Sequence, residues 1–155
     1  MSASGFTIQT ELGNIVMKFR PDAAPQTVDY YLKTINSGVF SASTFYRSDF
    51  VIQCGLHGTG REPPLGNLIV NETSSGPKVS NTRGTAAVAH WDVPDCGNTE
   101  FFINLQTNAH LDDAYGGYCV FAEVADQASF GVVDSIATAI KNGKPTVAIG
   151  SIQAH

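Results

Sequence analysis

The stretch FYRSDFVIQCG, residues 45–55, sets a guanidinium, Arg47, and an amide, Gln53, among Phe45, Phe50, Val51 and Ile52. A strand of this kind turns its apolar groups inward and carries a charge only on a wet face. Arginine stays protonated at every usable pH, so a buried Arg47 has no neutral form to adopt. Two readings follow. Either Arg47 points out to solvent, or it stands at the edge of an apolar cleft and works there as a fixed cation.

Other chemistries fit the sequence less well. Gly55, Gly58 and Gly60 lie close together, but they match neither GxGxxG nor a Walker loop and no helix follows. His57, His90, His110 and His155, with Asp92, Asp95 and Cys96 near His90, show no ligand-pair spacing typical of zinc. A Cys96/His90 nucleophile has no marked third, orienting group, and there is no GxSxG elbow. NET at 71–73 is a glycosylation sequon that matters only in a secreted chain. What is left is a set of aromatic and polar residues scattered over several segments: Arg47, Phe50, Val51 and Gln53; Ala89 and His90; Glu100 and Phe102; His110, Leu111 and Tyr118. Within any one strand, core phenylalanines and surface polar groups would explain them as well.

The elements that must position these residues are short. Phe6, Ile8 and Thr10 share one face and Ile15, Met17 and Phe19 another, with LGN at 12–14 turning between them, which predicts a β-hairpin. From Pro25 the period lengthens: Val28, Leu32 and Ile35 predict a helix that stops at Gly38. Strand-like runs follow at 44–47, 50–54, 85–89, 100–105, 117–124 and 146–153, and a second helix fits 129–141, with Gly143 after it. The Gly-, Pro- and Asn-rich connection from 55 to 84 is long enough to be functional or to hold its own short strand, LIVN at 68–71. About eight strands with two isolated helices predict a mainly β fold, an antiparallel sheet closing on itself with helices over its open ends.

Composition sets the wider bounds. The 155 residues suit one domain spanning 1–155, and 43% hydrophobic with 15% charged residues describes a globular chain. A net charge of −5 without a Lys/Arg cluster argues against nucleic acid or an anionic membrane as partner. No apolar run reaches the length of a spanning helix, and the start lacks a secretory signal pattern. Cys54, Cys96 and Cys119 are widely spaced, which suggests free thiols in a reducing compartment. A cytoplasmic protein is the expectation, or an organellar one if the N-terminus has been trimmed.

Taken in order, TELGNIVMKF, APQTVDYYL, GVFSASTFYR, FVIQCG, SNTRGTAAVAH, TEFFINL and HLDDAYGGYCVF resemble the cyclophilin family of peptidyl-prolyl cis–trans isomerases, almost end to end. The resemblance implies an eight-stranded antiparallel closed barrel capped by two α-helices. It implies a proline pocket on the outer wall, with a floor of Phe50, Val51, Phe102 and Leu111. Arg47 would be the catalytic arginine and Gln53 would hydrogen-bond near the rotating bond, while Ala89, the backbone around His90, Glu100, His110 and Tyr118 would bind the substrate chain. Proline-containing peptides and unfolded proteins would be the partners, with no cofactor and no metal, and nothing suggests more than a monomer.

This sequence departs from the family's pattern at several points. The interval from Arg47 to Phe50 is two residues shorter than usual, which could shift the guanidinium. Glu100 stands where Gln is common, and its charge could pair with Arg47 or alter substrate preference. His110 replaces a frequent Trp that helps bind cyclosporin, so weak cyclosporin binding is expected. His90 replaces a common Asn, and Tyr118 is usual. The rival reading is a non-catalytic proline-peptide binding module on the same barrel. A barrel carrying a lipophilic ligand inside is a third reading, opposed by the many inward Phe and Ile residues.

Overall fold

Phe6 and Ile8 alternate with Thr7 and Gln9, and Ile15 and Met17 with Val16 and Lys18, so the first two strands each present one apolar face. They form β1 (Gly5–Thr10) and β2 (Gly13–Phe19), paired antiparallel with Ile8 opposite Ile15. The computed structural model describes residues 3–68, 71–74, 79–90, 97–114 and 117–155. In it the hairpin turns at Glu11 and Leu12, one residue earlier than the LGN pattern suggests, because Thr10 Oγ1 accepts the Leu12 N–H at 3.1 Å and donates to the Gly13 carbonyl at 2.7 Å.

The remaining elements are α1 (Pro25–Asn36), β3 (Ser43–Ser48), β4 (Val51–Gly55), β5 (Thr85–Val88), β6 (Phe101–Asn104), β7 (Val120–Val124), α2 (Gln127–Lys141) and β8 (Val147–Ala154). The strands close into an antiparallel barrel in the order β1-β2-β7-β5-β6-β4-β3-β8, with β8 pairing back to β1. This is the predicted architecture. Closure leaves no free sheet edge.

The helices cover opposite ends. Helix α1 lies where β6 and β7 begin: Tyr31 stacks on Phe121 at 4.3 Å between ring centroids and donates to the Asn98 carbonyl at 2.6 Å. Helix α2 lies where β2 begins and β3 ends, with Ser129 Oγ accepting the Val16 N–H and Ser48 Oγ donating to the Ala137 carbonyl. It starts at Gln127, two residues before the periodic pattern, because the Asp126 side chain caps it by accepting the Ser129 N–H at 2.8 Å. Helix α1 has no such local cap. The buried Glu72 carboxylate, from the long connection, takes the N–H groups of Gln26 and Thr27 at 3.2 and 2.6 Å instead. A carboxylate at a helix N-terminus meets the positive end of the dipole, so the contact both anchors the loop and closes the helix.

That connection holds no full strand among its described residues. Leu68 makes a single antiparallel bridge to Gly97, Glu72–Ser74 form a short 3-10 turn, and residues 69 and 70 of the expected LIVN strand lie outside the described residues.

The barrel interior is filled rather than hollow. Phe6, Ile8, Ile15, Met17, Phe45, Ile52, Phe101, Ile103, Phe121 and Ile149 are all buried, and Phe101 packs edge-on to Phe121 at 5.8 Å. Burying each such side chain fully stabilises the fold by about 1.5–3 kcal/mol. A second apolar cluster lies apart from this core: Val51, Ala87, Phe102, Leu111 and Val120, with Phe50, Ala89 and Tyr118 packed against it. Gln53 stands opposite Phe102, Phe102 opposite Ala87, and Ala87 opposite Val120, so this row crosses four neighbouring strands on the outer face.

Candidate active site

Strict alternation along β3 would bury Arg47. Phe45 faces the interior opposite Cys54, so Arg47, two residues on, should face inward as well. A β-bulge prevents it. The register shifts between Phe45 and Arg47, so that Tyr46 is the extra residue and Arg47 stands opposite Gln53 instead of Ile52. Ser48 then takes the inward place opposite Ile52 and bonds to α2. The bulge therefore brings Tyr46 and Arg47 together around the outward Gln53.

Around Gln53 the polar groups form one connected chain. Arg47 Nη1 donates to Gln53 Oε1 at 2.9 Å, Gln53 Nε2 donates to the Tyr46 hydroxyl at 2.8 Å, and that hydroxyl donates to Glu100 Oε1 at 2.7 Å. Glu100 Oε2 accepts the Leu56 N–H at 2.7 Å, which ties the chain to the end of β4. Burial first, and then the Glu100 hydrogen bond, push the Tyr46 phenol well above its usual pKa, which keeps it a proton donor. Burial does the same for the inward Cys54 thiol, with the Glu100 charge adding to it.

Glu100 does not pair with Arg47. The partner is Asp49, whose Oδ2 accepts the Arg47 Nε–H at 2.8 Å while its Oδ1 takes the Val51 N–H at 3.2 Å. Asp49 wins because it sits in the tight β3–β4 turn two residues from Arg47, whereas the Glu100 oxygens are already engaged by Tyr46 and the Leu56 backbone. The same turn answers the question of the shortened interval: Arg47 Cζ lies 5.3 Å from the centre of the Phe50 ring, so the guanidinium still reaches the apolar wall.

These residues border a cleft of about 360 Å³ on the outer barrel wall. Its floor is apolar, with Val51, Phe102 and Leu111 buried and Phe50 standing beside them. Tyr46, Arg47, Gln53, His57, Asn98 and Glu100 also line it, as do Ala89, His90 and Tyr118. The His90 ring stacks on Tyr118 at 4.1 Å, and its Nε2 lies 2.8 Å from the Gly117 carbonyl. Beneath the floor a buried amide network holds the loops in place: Asn108 Nδ2 donates to the Phe50 carbonyl at 3.1 Å and to Asn104 Oδ1 at 2.8 Å, and Asn104 Nδ2 donates to Asn81 Oδ1 at 3.0 Å. A compact apolar ring could occupy the floor while an attached amide lies beside the guanidinium and the Gln53 side chain.

Of the residues singled out from sequence, Arg47, Phe50, Val51, Gln53, Ala89, His90, Glu100, Phe102, Leu111 and Tyr118 line the cleft together. His110 does not. It is exposed at the rim, edge-on to Phe50 at 5.4 Å. Asp92, Asp95 and Cys96, considered beside His90, lie outside the described residues. Tyr46, His57 and Asn98 line the cleft without having been anticipated. For Tyr46 the available signal was its place next to Arg47 in a strand whose alternation would otherwise bury a charge.

A family model described as "Cyclophilin type peptidyl-prolyl cis-trans isomerase/CLD" matches residues 5–154. Over 138 residues the chain is 38% identical to "Peptidyl-prolyl cis-trans isomerase B" of Escherichia coli (strain K12), covering 84% of this chain and 82% of that one. It is 33% identical over 135 residues to the "Peptidyl-prolyl cis-trans isomerase" of Acinetobacter baylyi, covering 84% and 70%. Among solved structures, a Cryptosporidium parvum cyclophilin type peptidyl-prolyl cis-trans isomerase, crystallised in the presence of the dipeptide Ala-Pro, superposes with a TM-score of 0.80. That likeness covers 97% of this chain and 98% of the other at 23% identity, and it concerns the fold.

Proposed function

The chain belongs to the cyclophilin-type peptidyl-prolyl cis–trans isomerase family and is an isomerase of Xaa–Pro bonds, and we propose that Arg47 drives the rotation with Gln53 as its partner. An Xaa–Pro amide turns through a barrier of about 18–20 kcal/mol because the nitrogen lone pair is delocalised into the carbonyl. At mid-rotation that lone pair is localised on a pyramidal nitrogen. A guanidinium N–H aimed there finds an acceptor in the twisted amide and hardly any in the planar one, which is preferential binding of the transition state.

The observation that carries this reading is the position of Arg47 at the edge of an apolar floor, held by Asp49 and Gln53. Those two bonds use two of the five guanidinium donors. In the scheme the pyrrolidine ring sits on Phe50, Val51, Phe102 and Leu111, and the chain before it runs past Ala89 and the backbone of His90. Glu100 and Tyr118 complete the walls. The substrates are proline-containing segments of peptides and unfolded proteins, so the protein assists folding. The buried thiols Cys54 and Cys119 support a reducing, cytoplasmic setting, and we take the working unit to be a monomer.

NMR exchange spectroscopy on a short Ala-Pro-Phe peptide tests the scheme, with wild type and Arg47→Ala compared side by side. A charge-assisted hydrogen bond is worth about 1.5–3 kcal/mol, so the variant should lose about one to two decades of exchange rate. If Arg47→Ala exchanges the peptide as fast as wild type, the role given to Arg47 is wrong. If the wild type binds the peptide without accelerating exchange, the cleft is a recognition pocket instead.

A further inference from the structure

The hydrogen bonds that end on Arg47 run in one direction only. A carboxylate has no proton to give, and Glu100 receives the Leu56 N–H on Oε2 and the Tyr46 hydroxyl on Oε1, each at 2.7 Å. The single hydroxyl proton is thereby committed to Glu100, so the phenol oxygen can only accept from Gln53. Gln53 meets it with Nε2 at 2.8 Å, which leaves Oε1 to face Arg47 Nη1 at 2.9 Å. Turned end for end, the Gln53 amide would set donors against donors and lose the bond to the guanidinium.

We propose that Tyr46 and Glu100 are positioning residues, which orient the Gln53 amide and through it the Arg47 guanidinium. The inference rests on the role of Arg47 proposed above. Glu100 also accepts from Thr99 Oγ1 at 3.2 Å and from the His57 N–H at 3.4 Å, so its oxygens are occupied within the wall instead of offering a free charge to a peptide. Gly55 makes room for it, since a Cβ there would overlap the Glu100 carboxylate. The β3 bulge supplies the other part by bringing Tyr46 to the same side as Arg47.

Tyr46→Phe breaks the chain at nearly constant volume. Glu100→Gln keeps the shape but replaces one acceptor by a donor, so it cannot accept from Tyr46 and Leu56 at once. Each is made alone and in an Arg47→Ala background, with kcat and KM read by peptide exchange. Each single change should lower kcat about tenfold, the effect of one hydrogen bond, with KM within about twofold of wild type. In the Arg47→Ala background neither should cost anything further. Wild-type kcat in both single variants, or losses that simply multiply with Arg47→Ala, would overturn the proposal.

A second readout does not depend on turnover. The Gln53 side-chain amide resonances should move, and their exchange with water should quicken, in Tyr46→Phe. Unchanged resonances would also overturn the proposal. A wild type without isomerase activity would refute the role of Arg47, while the amide spectrum still decides whether Tyr46 and Glu100 orient Gln53. Two variants at different points of the chain keep the test open should one fail to fold.

Discussion

Gly55 and the Glu100 carboxylate compete for one volume: a Cβ on residue 55 would overlap the carboxylate, and Gly55 itself adopts φ +152°. The glycine that ends β4 is thus tied to an acidic residue on another strand-end, 45 positions further along the chain. Gly55→Ala must bend the backbone back or push Glu100 away from Tyr46 and Leu56. The expected cost is about 1–3 kcal/mol in urea denaturation. In a Glu100→Ala background the same change should cost clearly less, because the steric part has gone. Equal costs in the two backgrounds would show that φ strain alone makes residue 55 a glycine.

We propose that cyclosporin binding by this chain depends on the rim position held by His110. His110 is exposed and meets Phe50 edge-on at 5.4 Å, outside the cleft lining, at the position where the family resemblance implies a frequent Trp. An imidazole offers less apolar area than an indole to a large lipophilic ring. Calorimetric titration of the wild type should therefore show weak binding, and His110→Trp should tighten it about tenfold, worth about 1.4 kcal/mol. Nanomolar-class binding by the wild type would dispose of this account.

The parts of the fold that depend on local periodicity were legible in the sequence. The period-2 faces of β1 and β2 and the three- and four-residue steps of α1 and α2 are each set by a single apolar face. Helix α2 begins earlier than its pattern only because a cap, Asp126, carries no apolar signal. The floor residues Phe50, Val51, Phe102 and Leu111 could be grouped only through the family resemblance. Nothing in their spacing reveals that they share an outer cluster separate from the core.

What stayed hidden depends on contacts between distant residues or on one irregular residue. The β3 bulge inverts the facing of Arg47, and period-2 reasoning has no means of anticipating an extra residue. Asp49, not Glu100, pairs with Arg47 because a two-residue turn sets their distance, which a comparison of charges along the chain does not weigh. The cap on α1 comes from Glu72, 45 residues beyond Thr27, a contact that local sequence does not reveal.

The buried acids that titrate at high pH give the last prediction. Burial pushes Tyr31, Tyr46 and Cys54 well up, Tyr30 to about 12 and Cys119 to about 11. Each is neutral when protonated, and the folded protein keeps that proton to a higher pH than the unfolded chain does. Above the unfolded values, about 8.5 for thiols and 10 for phenols, the unfolded state binds fewer protons, so stability falls as pH rises. Below about pH 8 these groups are protonated in both states, and their contribution is fully present. Urea midpoints should therefore stay level between about pH 7 and 8, drop by about pH 9.5 and drop further by about pH 10.5. A midpoint that stays level up to about pH 10.5 would mean that these side chains are far better solvated than their burial indicates.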